Sequence, residues 1–426
     1  MPLGLFLYKI LTRLIAPFLG AFFRRRAKSG KEDASRIHER FAKYIEPRTT
    51  EKLIWFHAAS VGESQLLLEL SRRLINEGIK DATFLFTCQT QTAAGLITKT
   101  LKDDPHFSRV TTAQKMAPVD TRTATRLFLD HWQPDLTIFA EGEIWPKHLL
   151  ELEARDIPAI LVNARMTEIS TLGWLRLKKT AEAVFSTYDL LIAADIQTKT
   201  GLEALSGKPV INPGNLKSAL PAPSVDEDTY QTLLSAVGAQ DIFLAASTHA
   251  GEEALIIDAF PKLEPRPLLI IAPRHTERGD EVDALLSCTK LRVSRWSETR
   301  SIPHGTEVLL ADTMGEMGLW YRLANSVYLG GGHAPGVGGH NPLEALRLGK
   351  PILTGPSLFN FSDLTKRLQQ HGGFTIVEDA DALIAAYPPA PVSEAMKEAL
   401  ESDAKGPMAA TLTAIDPILQ RVGLKA

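Results

Sequence analysis

Glu63 follows Ser60-Val61-Gly62 at the point where the apolar run LIWFHAA gives way to the helical pattern SQLLLELSRRLINEG. A carboxylate at such a strand-to-helix turn faces a crevice, not the core, and suits a general base. It suits a helix N-terminus equally, because a negative side chain there is stabilised by the helix dipole. Spacing leaves both readings standing. Glu141 and Glu143 close the strand LTIFA, and being two apart they point to the same side if the strand persists through them. Two like charges so placed raise one carboxyl pKa or call for a nearby cation. Cations recur at other strand ends: Arg165 in VNARMT, Lys217 in GNLK, and Arg274 with His275 in APRHTER. Each suits an anion, and the recurrence carries more weight than any one of them.

The glycine-rich stretch GGGHAPGVGGHNPLE, from Gly330 to Glu344, enters the helical pattern LEALRLG. Glycine lets a backbone approach a ligand closely, and a helix start offers free N–H groups, so the stretch predicts a phosphate site. No GK[ST] closes it and no G-x-G-x-x-G opens the first strand-helix unit, which weakens nucleoside triphosphate and NAD readings. Glu344, one turn into the helix, is placed to accept hydrogen bonds from a ribose diol. Asp379-x-Asp381 opens a helical pattern and Asp226-x-Asp228 lies in a linker-like run, so neither reads as a metal site.

The elements that must position these residues alternate short apolar runs with amphipathic helical stretches, as parallel sheets with crossover helices require. LIWFHAA, TFLFTC, LTIFAE, PAILVNA, LLIAA and PVINPGN supply strands in the first half; IFLAAS, PLLIIAP, EVLLAD, SVYLGGG and KPILTGP supply them in the second. Between them SALPAPSVDED loses its periodicity, which predicts a linker. At 426 residues the chain fits two α/β domains with a cleft between them. The expected division is 1–26 as a membrane-anchor helix, 27–217 as a first Rossmann-like domain, 218–228 as the linker and 229–426 as a second. In the second, the loops 247–252, 273–278, 312–316 and 330–344 should line one crevice beyond the strand ends.

A composition of 44% hydrophobic and 23% charged residues excludes a multi-pass membrane protein, and a net charge of -3 gives no general attraction to nucleic acid. Cys88 and Cys288 form no CxxC and suit a reducing cytoplasm. Residues 3–23, LGLFLYKILTRLIAPFLGAFF, are apolar and precede Arg24, Arg25 and Arg26, an order opposite to that of a signal peptide. Lys9, Arg13 and Arg24 share one face with Ala16 and Gly20. The run fits an interfacial helix and is also long enough to span a bilayer.

Together HAASVGE (57–63), EGEIWP (141–146), NARMT (163–167), GNLK (214–217), STHAGEE (247–253), APRHTER (272–278), DTMGE (312–316), GGHNPLEA (338–345) and GPSLFNF (355–361) stand in the order seen in the Kdo transferases. The chain resembles that family over nearly its whole length. The resemblance implies a GT-B type glycosyltransferase fold, two Rossmann-like domains facing a central cleft, with an N-terminal membrane helix. It implies transfer of Kdo from CMP-Kdo to a lipid A precursor, lipid IVA, in lipopolysaccharide biosynthesis at the cytoplasmic face of the cell inner membrane. No metal, cofactor or nucleic acid is implied. Carried over by position, the catalytic base falls on Glu63, and Glu141 and Lys217 fall on transition-state stabilisers. CMP contacts fall on Pro273, Arg274, Met314, Gly315, Glu316, Asn341, Pro342, Leu343 and Glu344. The chain departs from the family pattern at Gly142, where Thr is usual, at Ser218-Ala219, where Phe-Asp is usual, and at Ser357, where His is usual. Two rival readings are a same-fold enzyme acting on a UDP-sugar and a membrane-surface adaptor without turnover.

Overall fold

Each apolar run before a helical pattern becomes a parallel strand, because a strand covered by helices on both faces must be apolar on both. The computed structural model describes residues 2–44, 46–48, 51–220 and 225–425. They divide into two compact units, 1–220 with 403–426, and 221–402. The expected linker falls partly on 221–224, which lie outside the described residues.

In the first unit the described strands are β1 (Lys52–Ala58), β2 (Ala82–Cys88), β3 (Thr111–Met116), β4 (Leu136–Ala140), β5 (Ala159–Ala164) and β6 (Leu190–Ala193). They form one parallel sheet in the order β3-β2-β1-β4-β5-β6. Alternate residues of β1 feed two cores: Ile54, Phe56 and Ala58 pack with Phe84 and Phe86, while Leu53 and Trp55 pack with Phe128 and Phe139. PVINPGN, read as a strand from its apolar residues, contributes only a single bridge from Ile211 to Ile192, since its prolines and glycine cannot continue a ladder.

In the second unit β7 (Ile242–Thr248), β8 (Leu268–Pro273), β9 (Val293–Arg295), β10 (Val308–Leu310), β11 (Ser326–Leu329), β12 (Ile352–Thr354) and β13 (Phe374–Ile376) pair in parallel in the order β13-β12-β11-β7-β8-β10-β9. The long helix Glu394–Arg421 begins in this unit, with Met396 and Leu400 in its core. Its later residues Met408, Ile415 and Leu419, with Leu424 beyond it, join the first unit's core instead. Residues 403–426, which the sequence reading groups with the second domain, thus pack with the first. Burying such side chains is worth about 1.5–3 kcal/mol each.

The helix Leu3–Lys28 lies against the first unit near both of its ends. At one end a Cβ on Gly4 would come within 2.6 Å of Thr180 Oγ1, Leu5 is buried, and the Tyr8 hydroxyl donates to Asp120 at 2.6 Å. At the other, Phe23 meets Phe41 edge-on and Arg40 lies over its ring. Phe6, Leu7, Ile10, Leu11, Leu14, Phe18 and Phe22 remain exposed.

Candidate active site

In a parallel sheet ligands gather where the strand order reverses, beyond the carboxyl ends of the two strands that flank the reversal. In the first unit that point lies between β1 and β4, and Glu63 and Glu141 follow these two strands. Glu63 stands in the first turn of the helix Val61–Asn76. The N-cap Ser60 hydroxyl accepts from the Glu63 N–H at 3.3 Å and donates to Glu63 Oε1 at 3.0 Å, while Glu63 Oε2 accepts the Ala59 N–H at 2.6 Å. Such reciprocal bonds anchor a helix start. The carboxylate is also buried and faces Glu143 and Glu141. Burial, then those two charges, raise its pKa above the ordinary 4.5 against the opposing bonds from Ala59 and Ser60.

Glu141 departs from the expected geometry. β4 ends at Ala140, and Glu141 takes a left-handed backbone, φ 54°, so it and Glu143 do not share one side of a continuing strand. Such a backbone costs roughly 1–3 kcal/mol in a non-glycine residue and persists where its surroundings dictate it. Here the Glu141 N–H donates to Val162 O at 3.0 Å, and its Oε1 accepts from Lys217 Nζ at 2.6 Å and Asn163 Nδ2 at 3.1 Å. Asn163, itself left-handed and buried, accepts the Leu216 N–H at 2.8 Å and so draws the GNLK segment to β5. Lys217 Nζ lies 3.4 Å from where a Cβ on Gly62 would stand. Glu63, Glu141 and Lys217, far apart in the chain, are therefore brought together.

Glu143 is held apart from that ion pair. Its Oε2 accepts from His57 Nε2 at 3.1 Å and Trp145 Nε1 at 2.8 Å, and Thr87 Oγ1 stands 2.8 Å from His57 Nδ1. Burial works to raise the Glu143 carboxyl, but His57 and Trp145 outweigh it and hold it below the ordinary value. The carboxyl that rises is that of Glu63, while that of Glu143 falls. Gly142 sits in open space, where a Cβ meets nothing within 4 Å, so its departure from the family pattern leaves this geometry intact.

In the second unit the reversal falls between β7 and β11, and the glycine-rich loop follows β11. A residue that the sequence reading did not single out shapes it. Glu252, buried, accepts the N–H groups of His249 at 3.0 Å, Gly331 at 2.8 Å and His333 at 3.0 Å, and the Tyr328 hydroxyl at 3.2 Å. Some of the loop N–H groups expected to face phosphate thus face this carboxylate. The close approach requires glycine, since a Cβ on Gly330 would come within 2.4 Å of Ser247 O. The helix behind the loop is short, Leu343–Arg347, and Asn341 Oδ1 accepts the Leu343 N–H at 3.2 Å. Glu344 lies in its first turn and Leu343 is buried; Pro342 stands at its N-cap position without a side-chain capping bond.

The remaining expected contacts lie on neighbouring strand ends. Pro273 ends β8, and Arg274 and His275 beyond it are exposed. His249 and His340 stack with Nε2 atoms 2.8 Å apart, so one ring donates and the other accepts. Burial first, then His249, Arg274 and His275, push His340 down to about 4. After β10, Met314 is exposed, Gly315 is left-handed, and Glu316 accepts from Trp296 Nε1 and Arg300, both at 2.8 Å, and from Thr313. The two Asp-x-Asp runs open helices, Asp379 and Asp226 each capping one through its side chain.

A family model described as 3-deoxy-D-manno-octulosonic-acid transferase (kdotransferase) matches residues 35–220. The 3-deoxy-D-manno-octulosonic acid transferase of Rickettsia bellii is 30% identical over 89% of this chain and 88% of its own. The chain belongs to the 3-deoxy-D-manno-octulosonic acid (Kdo) transferase family. It is a glycosyltransferase. A probable mitochondrial member from Arabidopsis thaliana is 31% identical over 89% of this chain and 86% of its own. A solved putative UDP-N-acetylglucosamine 2-epimerase from Listeria monocytogenes, 12% identical, matches 87% of this chain and 98% of its own with a TM-score of 0.57. At that identity the likeness speaks to fold alone, two Rossmann-like α/β units of GT-B type. In this Kdo transferase family member the apolar helix Leu3–Lys28 fits a membrane anchor by length and composition.

Proposed function

We propose that the protein transfers Kdo from CMP-Kdo to a lipid A precursor, lipid IVA, by a metal-independent inverting displacement. The observation that carries the reading is the convergence of Glu63, Glu141 and Lys217 at the β1/β4 strand ends, with the Glu63 carboxyl raised by burial and by its acidic neighbours. A base whose pKa approaches the working pH is a better proton acceptor. Glu63 takes the proton of an acceptor sugar hydroxyl as that oxygen bonds to the anomeric carbon of Kdo. The bond from that carbon to the CMP phosphate oxygen breaks, and its electron pair leaves with CMP. Lys217, held by Glu141, offers a fixed cation to the Kdo carboxylate or the departing phosphate, with Arg165 as the second choice.

CMP binds in the second unit at Pro273, Arg274, Met314, Gly315, Glu316 and the 341–344 segment. Arg274 is the cation for its phosphate, and Glu344 accepts from its ribose. The helix Leu3–Lys28 lies along the cytoplasmic face of the inner membrane. Contacts at both ends with the same unit, and an exposed apolar face between them, support a flat orientation over a spanning one.

Transfer from CMP-Kdo, generated in situ, to tetraacylated lipid A precursor is measured with products resolved by mass. Glu63→Ala should lose roughly 10²- to 10⁴-fold in rate with CMP binding kept. Full transfer by Glu63→Ala removes the base assignment, and competition by UDP in place of CMP removes the donor assignment.

A further inference from the structure

The loop Glu141–Trp145 runs straight into the helix Pro146–Glu153, and that helix start lacks a cap of its own. Trp145 makes no side-chain capping bond, its indole N–H being committed to Glu143, and Pro146 has no N–H. The next two N–H groups, of Lys147 and His148, both donate to Asp120, each at 3.0 Å. His148 Nδ1 stands 2.6 Å from the same carboxylate, and the Tyr8 hydroxyl donates to it at 2.6 Å. Asp120 belongs to neither helix. It lies in the turn between β3 and the helix Arg122–Trp132.

We infer that Asp120 is a positioning residue for the Glu141–Trp145 loop, and that Tyr8 makes the amino-terminal helix part of the same support. The inference rests on the proposed catalytic role of Glu141. One carboxylate sets the place of Lys147 and His148, hence of Pro146 and Trp145, and Trp145 with His57 sets the place of Glu143. The loop is then held at its far end by Lys217 and Asn163 through Glu141. Burial works to raise the Asp120 carboxyl, and the bonds from His148, Tyr8 and Lys147 outweigh it, so it stays ionised and keeps its four donors. Tyr8 stands on the helix whose other face exposes Phe6, Leu7, Leu14 and Phe18. A helix that only tethers the protein needs no bond to the carboxylate that caps the helix following this loop.

The test uses the full chain with acceptor at saturation in detergent micelles, where membrane recruitment does not limit the rate. Tyr8→Phe leaves Asp120 three of its donors, so the fold holds. It should lower kcat about 2- to 12-fold, the range of one ordinary hydrogen bond, with the donor KM unchanged. Leu14→Gln, on the exposed apolar face, should leave micellar kcat as it is while reducing transfer on vesicles. Tyr8→Phe with unchanged micellar kcat, or equal losses in both variants, overturns the inference and leaves the helix as a tether. Glu141→Gln separates the two ideas. If it keeps full kcat, the reading of Glu141 falls and the inference with it; if it loses kcat while Tyr8→Phe does not, only the inference falls.

Discussion

The two units place motif glutamates at equivalent points of similar sheets and use them differently. In the first, Glu141 pairs with a cation and Glu63 keeps a raised pKa in the company of two other carboxylates. In the second, Glu252 collects three backbone N–H groups and a hydroxyl, and its neighbour Glu253 holds Arg278 and Thr248. The contrast is in what is added to the chain's own donors: Glu63, bonded to Ala59 and Ser60, also faces two carboxylates that raise its pKa, whereas Glu252 is surrounded by donors. Burial is common to both and does not decide between them.

The sharpest way to break that comparison is Glu252→Gln. A glutamine has one acceptor oxygen in place of two, and its amide faces donors, so at least one buried N–H loses its partner at about 1–3 kcal/mol. Thermal unfolding should shift down and CMP affinity should fall; unchanged CMP affinity would make Glu252 as incidental as a surface residue. Lys217→Met should act in the opposite sense, lowering kcat about 10²- to 10³-fold while moving stability little, because the lysine side chain is about a quarter exposed, 26%. An unfolded or weakly folded Lys217→Met would turn the ion pair into architecture.

A smaller effect concerns pH. In the proposed mechanism Glu63 acts unprotonated, and its pKa lies above 4.5, so kcat/KM should fall with decreasing pH through an acid limb placed above that value. Charges of Glu143 and Glu141 help raise it, so Glu143→Gln should move the limb to lower pH. A limb that stays put dissociates the two carboxylates. In stability the sign is reversed: a carboxyl raised in the folded state contributes fully below its unfolded pKa, and the contribution is lost as pH rises through the folded one. The smallest effect is expected from Gly142→Thr, whose Cβ enters open space; rate and stability should match the parent.

Much of the fold is legible in the chain. Runs such as LIWFHAA and PLLIIAP are short, apolar on both faces and bounded by turn residues, as interior parallel strands are. β3 escapes that logic because TTAQKM is polar and mostly half-exposed at the sheet edge, and β9 and β13 because three residues show no period. At the site, the strand-to-helix turn offers Glu63 as a general base or as a helix N-terminal charge. It stands in the first helical turn bonded to Ser60, and its raised carboxyl, which the sequence reading assigned to the 141/143 pair, comes from burial among distant groups. His57, Asn163, Asp120 and Glu252 are not legible in the chain. His57 sits within HAASVGE, which offers a signal, but Asp120 reaches its partners across more than a hundred residues toward Tyr8 and 28 toward His148.

Most of the interior strands, the alternation that makes two α/β units and the apolar amino-terminal helix follow from the sequence by itself, because periodicity and turn residues act over a few positions. Which carboxylate meets a cation, which is bound by backbone and which is raised in pKa was decided only by tertiary structure. Left-handed backbones at Glu141 and Asn163, and the reversal of strand order between β1 and β4, bring distant residues within hydrogen-bond reach. Electrostatic character depends on those distances, and distances between remote segments are written in no local pattern.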